Sequence, residues 1–127
     1  MASLAASAHV RYNRTVIVPG VWTVQWHLEA EQELQGLPPA ERVALLRAVQ
    51  KLEALGPRLP FPHQSAVKAE GGLRELRPRG GRSPWRALYR RSENTFVIVA
   101  VSPEAQVDRR GFERAIAMAH RRLGGSE

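Results

Sequence analysis

With 127 residues, 43 % of them hydrophobic and 24 % charged, the chain has the size and composition of one folded domain around one core. It has no cysteine, which excludes disulfide frameworks, thiolate zinc sites and cysteine nucleophiles and fits a cytoplasmic setting; Met1–Ala8 lacks the basic start and apolar run of a signal peptide, and no stretch reaches the ~20 apolar residues of a membrane span. The formal charge of +7 favours polyanionic partners, and it is concentrated: residues 74–91 hold seven arginines against Glu75 alone, a segmental +6, whereas residues 28–55 carry −2.

Residues 1–15 show no period and are expected as a loose extension, followed by a single domain over 16–127. Val16–Val18 suits a short flanking strand. Val21–His27 alternates β-branched and aromatic residues and reads as a strand. Leu28–Gln35 is a short acidic helix closed by Gly36, and Pro39 suits the first position of a longer helix that Gly56-Pro57 stops. Its apolar residues Val43, Leu46, Val49, Leu52 and Leu55 recur at threes, widened by Leu45 and Ala48, which predicts the buried stripe of an antiparallel helical hairpin. Arg58–Gly72, rich in proline and glycine, reads as a connecting loop. Three strands follow at Leu73–Arg77, Pro84–Arg91 and Thr95–Val101, joined by turns at Gly80-Gly81 and Ser92-Glu93-Asn94. Asp108 is placed as the N-cap of a last helix, with Val107 and Phe112 as its hydrophobic staple and with Phe112, Ile116, Ala119 and Leu123 buried. The order implies an α+β fold: a mostly antiparallel four-stranded sheet with an N-terminal helical hairpin and a C-terminal helix, the helices on one face.

Side chains alternate along strands, so Glu75 and Arg77 share a face, as do Arg86, Leu88 and Arg90, while Leu76, Trp85, Ala87 and Tyr89 turn the other way. A hairpin would bring Arg77 and Arg86 together, where two guanidiniums can hold one phosphodiester and the extra charge of its pentacoordinate transition state. Cleaving such a phosphodiester would also need proton transfer, for which arginine is a poor agent. Glu75, Tyr89 and His120 are the candidates, each with a structural alternative: an ion pair for Glu75, the core for Tyr89, packing for His120. Arg74, Arg79, Arg82, Arg90, Arg91, Arg109 and Arg110 are candidate RNA contacts. Trp22, Trp26 and Trp85 suit the core or base stacking. His9, His27, His63 and His120 have no metal-ligand spacing, and neither a metal nor a cofactor is expected.

The succession GLRELRP, a glycine and arginine turn, WRALYRR, an apolar strand and FERAIAMAHRRL, preceded by the Trp22 to Trp26 strand and the LPPAERVALLRAVQKLEALGPRL helix, resembles the RelE/ParE superfamily of bacterial toxins, in particular its HigB-like, phage-related branch. The likeness covers about Trp22 to Leu123. It implies the toxin of a type II toxin–antitoxin pair, many members of which cleave mRNA on the ribosome without metal and so inhibit translation; Arg77 and Arg86 map onto positions that contact and activate the scissile phosphate. The chain departs from the family after its last strand, where Ser102-Pro103-Glu104-Ala105-Gln106 replaces a basic cluster and Arg109 and Arg110 are the next cations. The expected partners are a cognate antitoxin of helix-turn-helix type, mRNA and the ribosome, with no membrane. The resemblance leaves two alternatives: a ParE-like DNA gyrase inhibitor, and a catalytically silent RNA-binding module. An acidic antitoxin segment is expected over Arg74–Arg91.

Overall fold

Five strands and three helices form within residues 22–68 and 71–124, which the computed structural model describes; the expected extension at 1–15 and the strand at Val16–Val18 lie outside these residues. In chain order they are β1 (Thr23–Trp26), α1 (Leu28–Gln35), α2 (Pro39–Leu55), β2 (Gln64–Ala66), β3 (Arg74–Leu76), β4 (Trp85–Ser92), β5 (Thr95–Pro103) and α3 (Arg109–Gly124). The sheet order is β1-β5-β4-β3-β2, with β1 parallel to β5 and every other pair antiparallel. The fifth strand, β2, lies in the stretch expected to be a loop. Three residues without a β-branched side chain carry no legible period, and pairing with β3, Gln64 opposite Leu76, is what makes them a strand.

The α+β class and the mostly antiparallel sheet agree with expectation; the placement of all helices on one face does not. Trp26, Leu76, Ala87, Tyr89, Phe96 and Ile98 pack under α1 and α2, whereas Leu73, Leu88, Val99 and Ala100 pack under Ala119 of α3 on the other face. β5 is apolar on both sides, so a helix must cover each. Its alternation is broken once. Ala100 opposes Leu88 but Ile98 opposes Tyr89, so Val99 is an extra residue, and beyond this bulge Val101 returns to the hairpin face.

On α2 the buried residues are Ala44, Leu45, Ala48, Val49 and Leu52, while Val43 and Leu46 remain 48 % and 41 % exposed. Steps of three fall short of a full turn and drift by about 240° between Val43 and Leu55, so that series cannot line one face. At α3, the Asp108 carboxylate accepts from the Gly111 N–H at 2.9 Å, as an N-cap should, but Val107 is 64 % exposed and makes no buried staple.

β1 ends its pairing at Trp26–Ile98, which leaves the next stretch of β5 without a strand on that side. Side chains cover it. The Val101 N–H donates to Glu33 Oε1 at 2.9 Å, and Arg122 donates to the Val99 carbonyl at 2.7 Å. Arg122, 7 % exposed, also binds both Glu33 oxygens at 3.2 and 2.7 Å and pairs with Glu29 at 3.1 Å, tying α3 to α1. At the start of α1, His27 Nδ1 accepts from the Glu29 N–H at 3.1 Å and serves as the N-cap.

Two measurements check these roles. Arg122→Met should cost about 2 kcal/mol in urea unfolding, less than breaking a fully buried pair because Glu29 and Glu33 keep contact with water. Burial and Arg122 push the His27 pKa below its ordinary value of 6.5, so between the two values the unfolded chain binds the extra proton. His27 therefore contributes fully above about pH 6.5, and the contribution falls away as pH drops through the folded value. His27→Asn, which caps without titrating, should lose less stability than wild type between pH 7.5 and 5.5; parallel pH curves would refute the lowered pKa.

Candidate functional site

The arginine pair anticipated from the hairpin forms around a carboxylate. Glu75 projects from β3 toward the α3 face, where its Oε2 accepts from Ser65 Oγ at 2.8 Å and from Arg77 at 3.2 Å. Its Oε1 lies 3.4 Å from Arg86 Nε. Arg77 also donates to the Pro62 carbonyl at 2.9 Å and stacks over Phe61 at 5.2 Å, keeping 20 % of its side chain exposed.

Arg86 is 0 % exposed. It donates to the carbonyls of Ser83 at 2.7 Å, Trp85 at 2.9 Å and Gly81 at 3.3 Å, and its other flank lies 3.6 Å from Glu104. Burial and then the neighbouring Arg77 charge pull its pKa down, while Glu75 and Glu104 oppose both. The backbone that supplies these acceptors reverses through a kinked, non-helical turn at Pro78–Gly81, in which Arg79, Gly80 and Gly81 have φ of 55°, 63° and 97°. The φ of 97° at Gly81 favours glycine, and a Cβ there would displace the Arg77 guanidinium, which it would meet at 2.6 Å. The expected direct contact of Arg86 with a phosphate is corrected here, since no part of its side chain reaches solvent.

Above this network lies a cleft of about 380 Å³ between β2, β3, the turn after β5 and the start of α3. Lys68, Arg77 and Arg109 bring positive charge to it, Glu75 and Glu104 negative charge, and Phe112 and Val67 apolar wall. Glu104 thus stands where the RelE/ParE pattern has its basic cluster. Its main chain is anchored: the N–H donates to the Pro84 carbonyl at 2.8 Å, and its carbonyl accepts from Val107 and Asp108 at 3.1 and 3.0 Å. Among the described residues no group of three or more His, Asp or Glu is placed to hold a metal ion.

The other anticipated residues divide by strand face. Arg74 points to the hairpin side, where it bonds Gln64 at 2.7 Å and Tyr89, whose phenol pKa burial pushes up. Arg91 stacks on Trp22 at 4.9 Å and donates to the Glu93 carbonyl at 2.8 Å. Arg79 is held by both Glu41 oxygens at 2.9 and 2.8 Å. Arg90 lies half-buried along Gly72, Arg82 and Arg110 are exposed, and His120 packs against Gly71, away from the cleft lining. Missed in the sequence were Lys68 and Glu104 as cleft residues and Ser65 as a partner of Glu75; only Glu104 sat in a stretch that drew notice. On the sheet's opposite face a groove of about 250 Å³ runs between α2 and β3, lined by Val43, Ala44, Arg47, Ala48, Lys51, His63 and Leu76, and Arg77 borders this groove as well as the cleft.

The pattern of the family described as phage derived protein Gp49-like matches residues 32–104, from α1 to the Glu104 wall of the cleft. Among solved structures, the toxin–antitoxin complex RelBE2 from Mycobacterium tuberculosis is 27 % identical, covers 72 % of this chain and 99 % of its own, and superposes with a TM-score of 0.51. The archaeal RelE–RelB complex from Pyrococcus horikoshii OT3 is 25 % identical over 63 % of this chain and 91 % of its own, with a TM-score of 0.46. No curated protein matches the sequence significantly.

If Arg86 organises the cleft floor, Arg86→Met should cost about 3 kcal/mol or more, because it strands buried carbonyls and two carboxylates. Arg77→Met, at a side chain that keeps 20 % exposure, should cost less, about 1 kcal/mol. Equal and small losses in urea unfolding would remove Arg86 from that role.

Proposed function

The chain belongs to the phage-derived Gp49-like family and has a RelE-like fold, and from that premise we propose that it is the toxin of a type II toxin–antitoxin pair, a HigB-like, metal-free endoribonuclease that cuts mRNA at the ribosome and so inhibits translation. The observation that carries the reading is the cleft in which Arg77, Arg109 and Lys68 face two carboxylates. Arg77 and Arg109 hold the scissile phosphate and stabilise the charge it gains when the 2′-hydroxyl attacks; the bond to the 5′-oxygen then breaks, leaving a 2′,3′-cyclic phosphate and a 5′-oxygen that takes its proton from water. Glu75 Oε2 is hydrogen-bonded by Ser65 and Arg77 and its Oε1 lies 3.4 Å from Arg86, whereas Glu104 has one ion-pair contact at 3.6 Å, so Glu104 is the freer group to take the hydroxyl proton. Arg86 acts through these two carboxylates as a positioning residue, and His120 takes no part.

The RelBE2 structure is that of a toxin–antitoxin complex, which supports an antitoxin partner for this chain, of helix-turn-helix type in the HigB-like branch. A second reading has a specific observation behind it. A buried Arg86 and an acid at 104 leave fewer free cations at the cleft than phosphate chemistry commonly uses, which favours a binding toxin of the ParE kind, directed at DNA gyrase, or a silent RNA-binding module.

Induced expression with mapping of new 5′ ends on cellular mRNA separates these. Wild type should cut transcripts; Arg77→Ala and Glu104→Gln should each reduce cutting about 100-fold, Arg77→Ala unfolding at nearly the wild-type urea concentration and Glu104→Gln at a lower one, because it removes a counter-charge of the buried Arg86. Growth arrest with intact transcripts and altered supercoiling would move the assignment to gyrase, and absence of arrest to the silent module.

A further inference from the structure

α3 carries five arginines, two of which already have roles, Arg122 tying α3 to α1 and Arg109 at the cleft. The other three, Arg110, Arg114 and Arg121, are exposed. At 100° per residue they fall within about 40° of one another, diametrically opposite the side that carries Phe112, Ala115 and Ala119 to the sheet, in a row about 16 Å long. Glu113 lies off this row, roughly 60–100° around the helix. Arg121 rests on Met118 Sδ at 3.3 Å.

Nothing in the helix itself favours this arrangement. Arg110 stands in the first turn, where the helix dipole repels a cation, and Arg110 and Arg114 form an i,i+4 pair of like charges, which also opposes the helix. The residues between the arginines are Ala117, exposed, and Met118, half-buried, so the row offers no large apolar anchor of the kind that dominates protein–protein contacts. It offers planar, permanently charged donors in line, the requirement for gripping successive phosphates without reading bases. The row also begins beside Arg109 and so continues from the cleft.

We propose that the outward face of α3 is a second RNA-binding surface, separate from the cleft, on which the phosphodiester backbone of a bound strand runs after it leaves the cleft. The inference rests on RNA being the ligand of the cleft. Its contacts are to backbone only, so it adds affinity and orientation without sequence preference.

The test uses 2′-O-methyl RNA, which lacks the attacking hydroxyl, as a long strand of about 20 nucleotides and as a trinucleotide that fills only the cleft, with affinities measured over a series of KCl concentrations. Arg110→Gln, Arg114→Gln and Arg121→Gln combined should weaken the long strand, make its log–log salt dependence shallower by about 2, and leave the trinucleotide unchanged. Arg77→Ala should weaken both strands. A wild-type salt slope in the triple variant, with Arg77→Ala still weakening both strands, would overturn the α3 surface and leave the cleft reading standing; no RNA binding by wild type would overturn both. If the triple variant instead loses affinity for a polyglutamate peptide and keeps it for RNA, the face serves an acidic protein and the proposal fails. The urea midpoint of the triple variant should equal or exceed that of wild type, since the like-charge pair is relieved.

Discussion

Burying the whole Arg86 side chain obliges the polypeptide to surround a charged, five-donor group with acceptors, and much of one end of the sheet answers that demand. The carbonyls of Gly81, Ser83 and Trp85 converge on it from the turn before β4, Glu75 approaches from β3, and Glu104 from the turn after β5. Three chain segments distant in sequence are held at one point by a single guanidinium. The carboxylates that neutralise it are also those that face the cleft, so the stability of this end and the shape of the cleft have one source.

A second constraint acts at the far side of β5. That strand is longer than its parallel neighbour, and main-chain groups left without a strand partner must find other ones. Glu33 and Arg122 provide them, and because they belong to helices on opposite faces, the same contacts lock the two layers around the sheet. The bulge at Val99 and its capped carbonyl occur together: the extra residue breaks the ladder, and side chains complete what the ladder leaves open.

Where local chemistry sets a boundary, the sequence states it: Gly36, Pro39, Gly56 and Asp108 mark helix ends within one residue of those observed. Alternation along β4 likewise separated Arg86 and Leu88 from Ala87 and Tyr89. What failed depended on partners remote in the chain. β2 exists through its pairing, α3 crosses to the second face because β5 is apolar on both sides, and the apparent stripe of α2 was a run of threes that the 3.6-residue turn unwinds. The same holds for the site. Arg77, Arg86 and Glu75 were legible as neighbours because a hairpin connects them, but nothing in the sequence announced that Arg86 would be sealed under the cleft, that Arg74 and Arg91 would face the other layer, or that Lys68 and Glu104 would join the wall.

Arg77 stands at the end of the sheet, where it lines both the cleft on one face and the groove under α2 on the other. An anion bound in the groove that draws on this group leaves less positive charge for the cleft, and an anion in the cleft does the same to the groove. Ligands that both drew on this one side chain would be thermodynamically linked through it, each lowering the other's affinity by the same factor, so that a carboxylate held in the groove would antagonise a polyanion in the cleft.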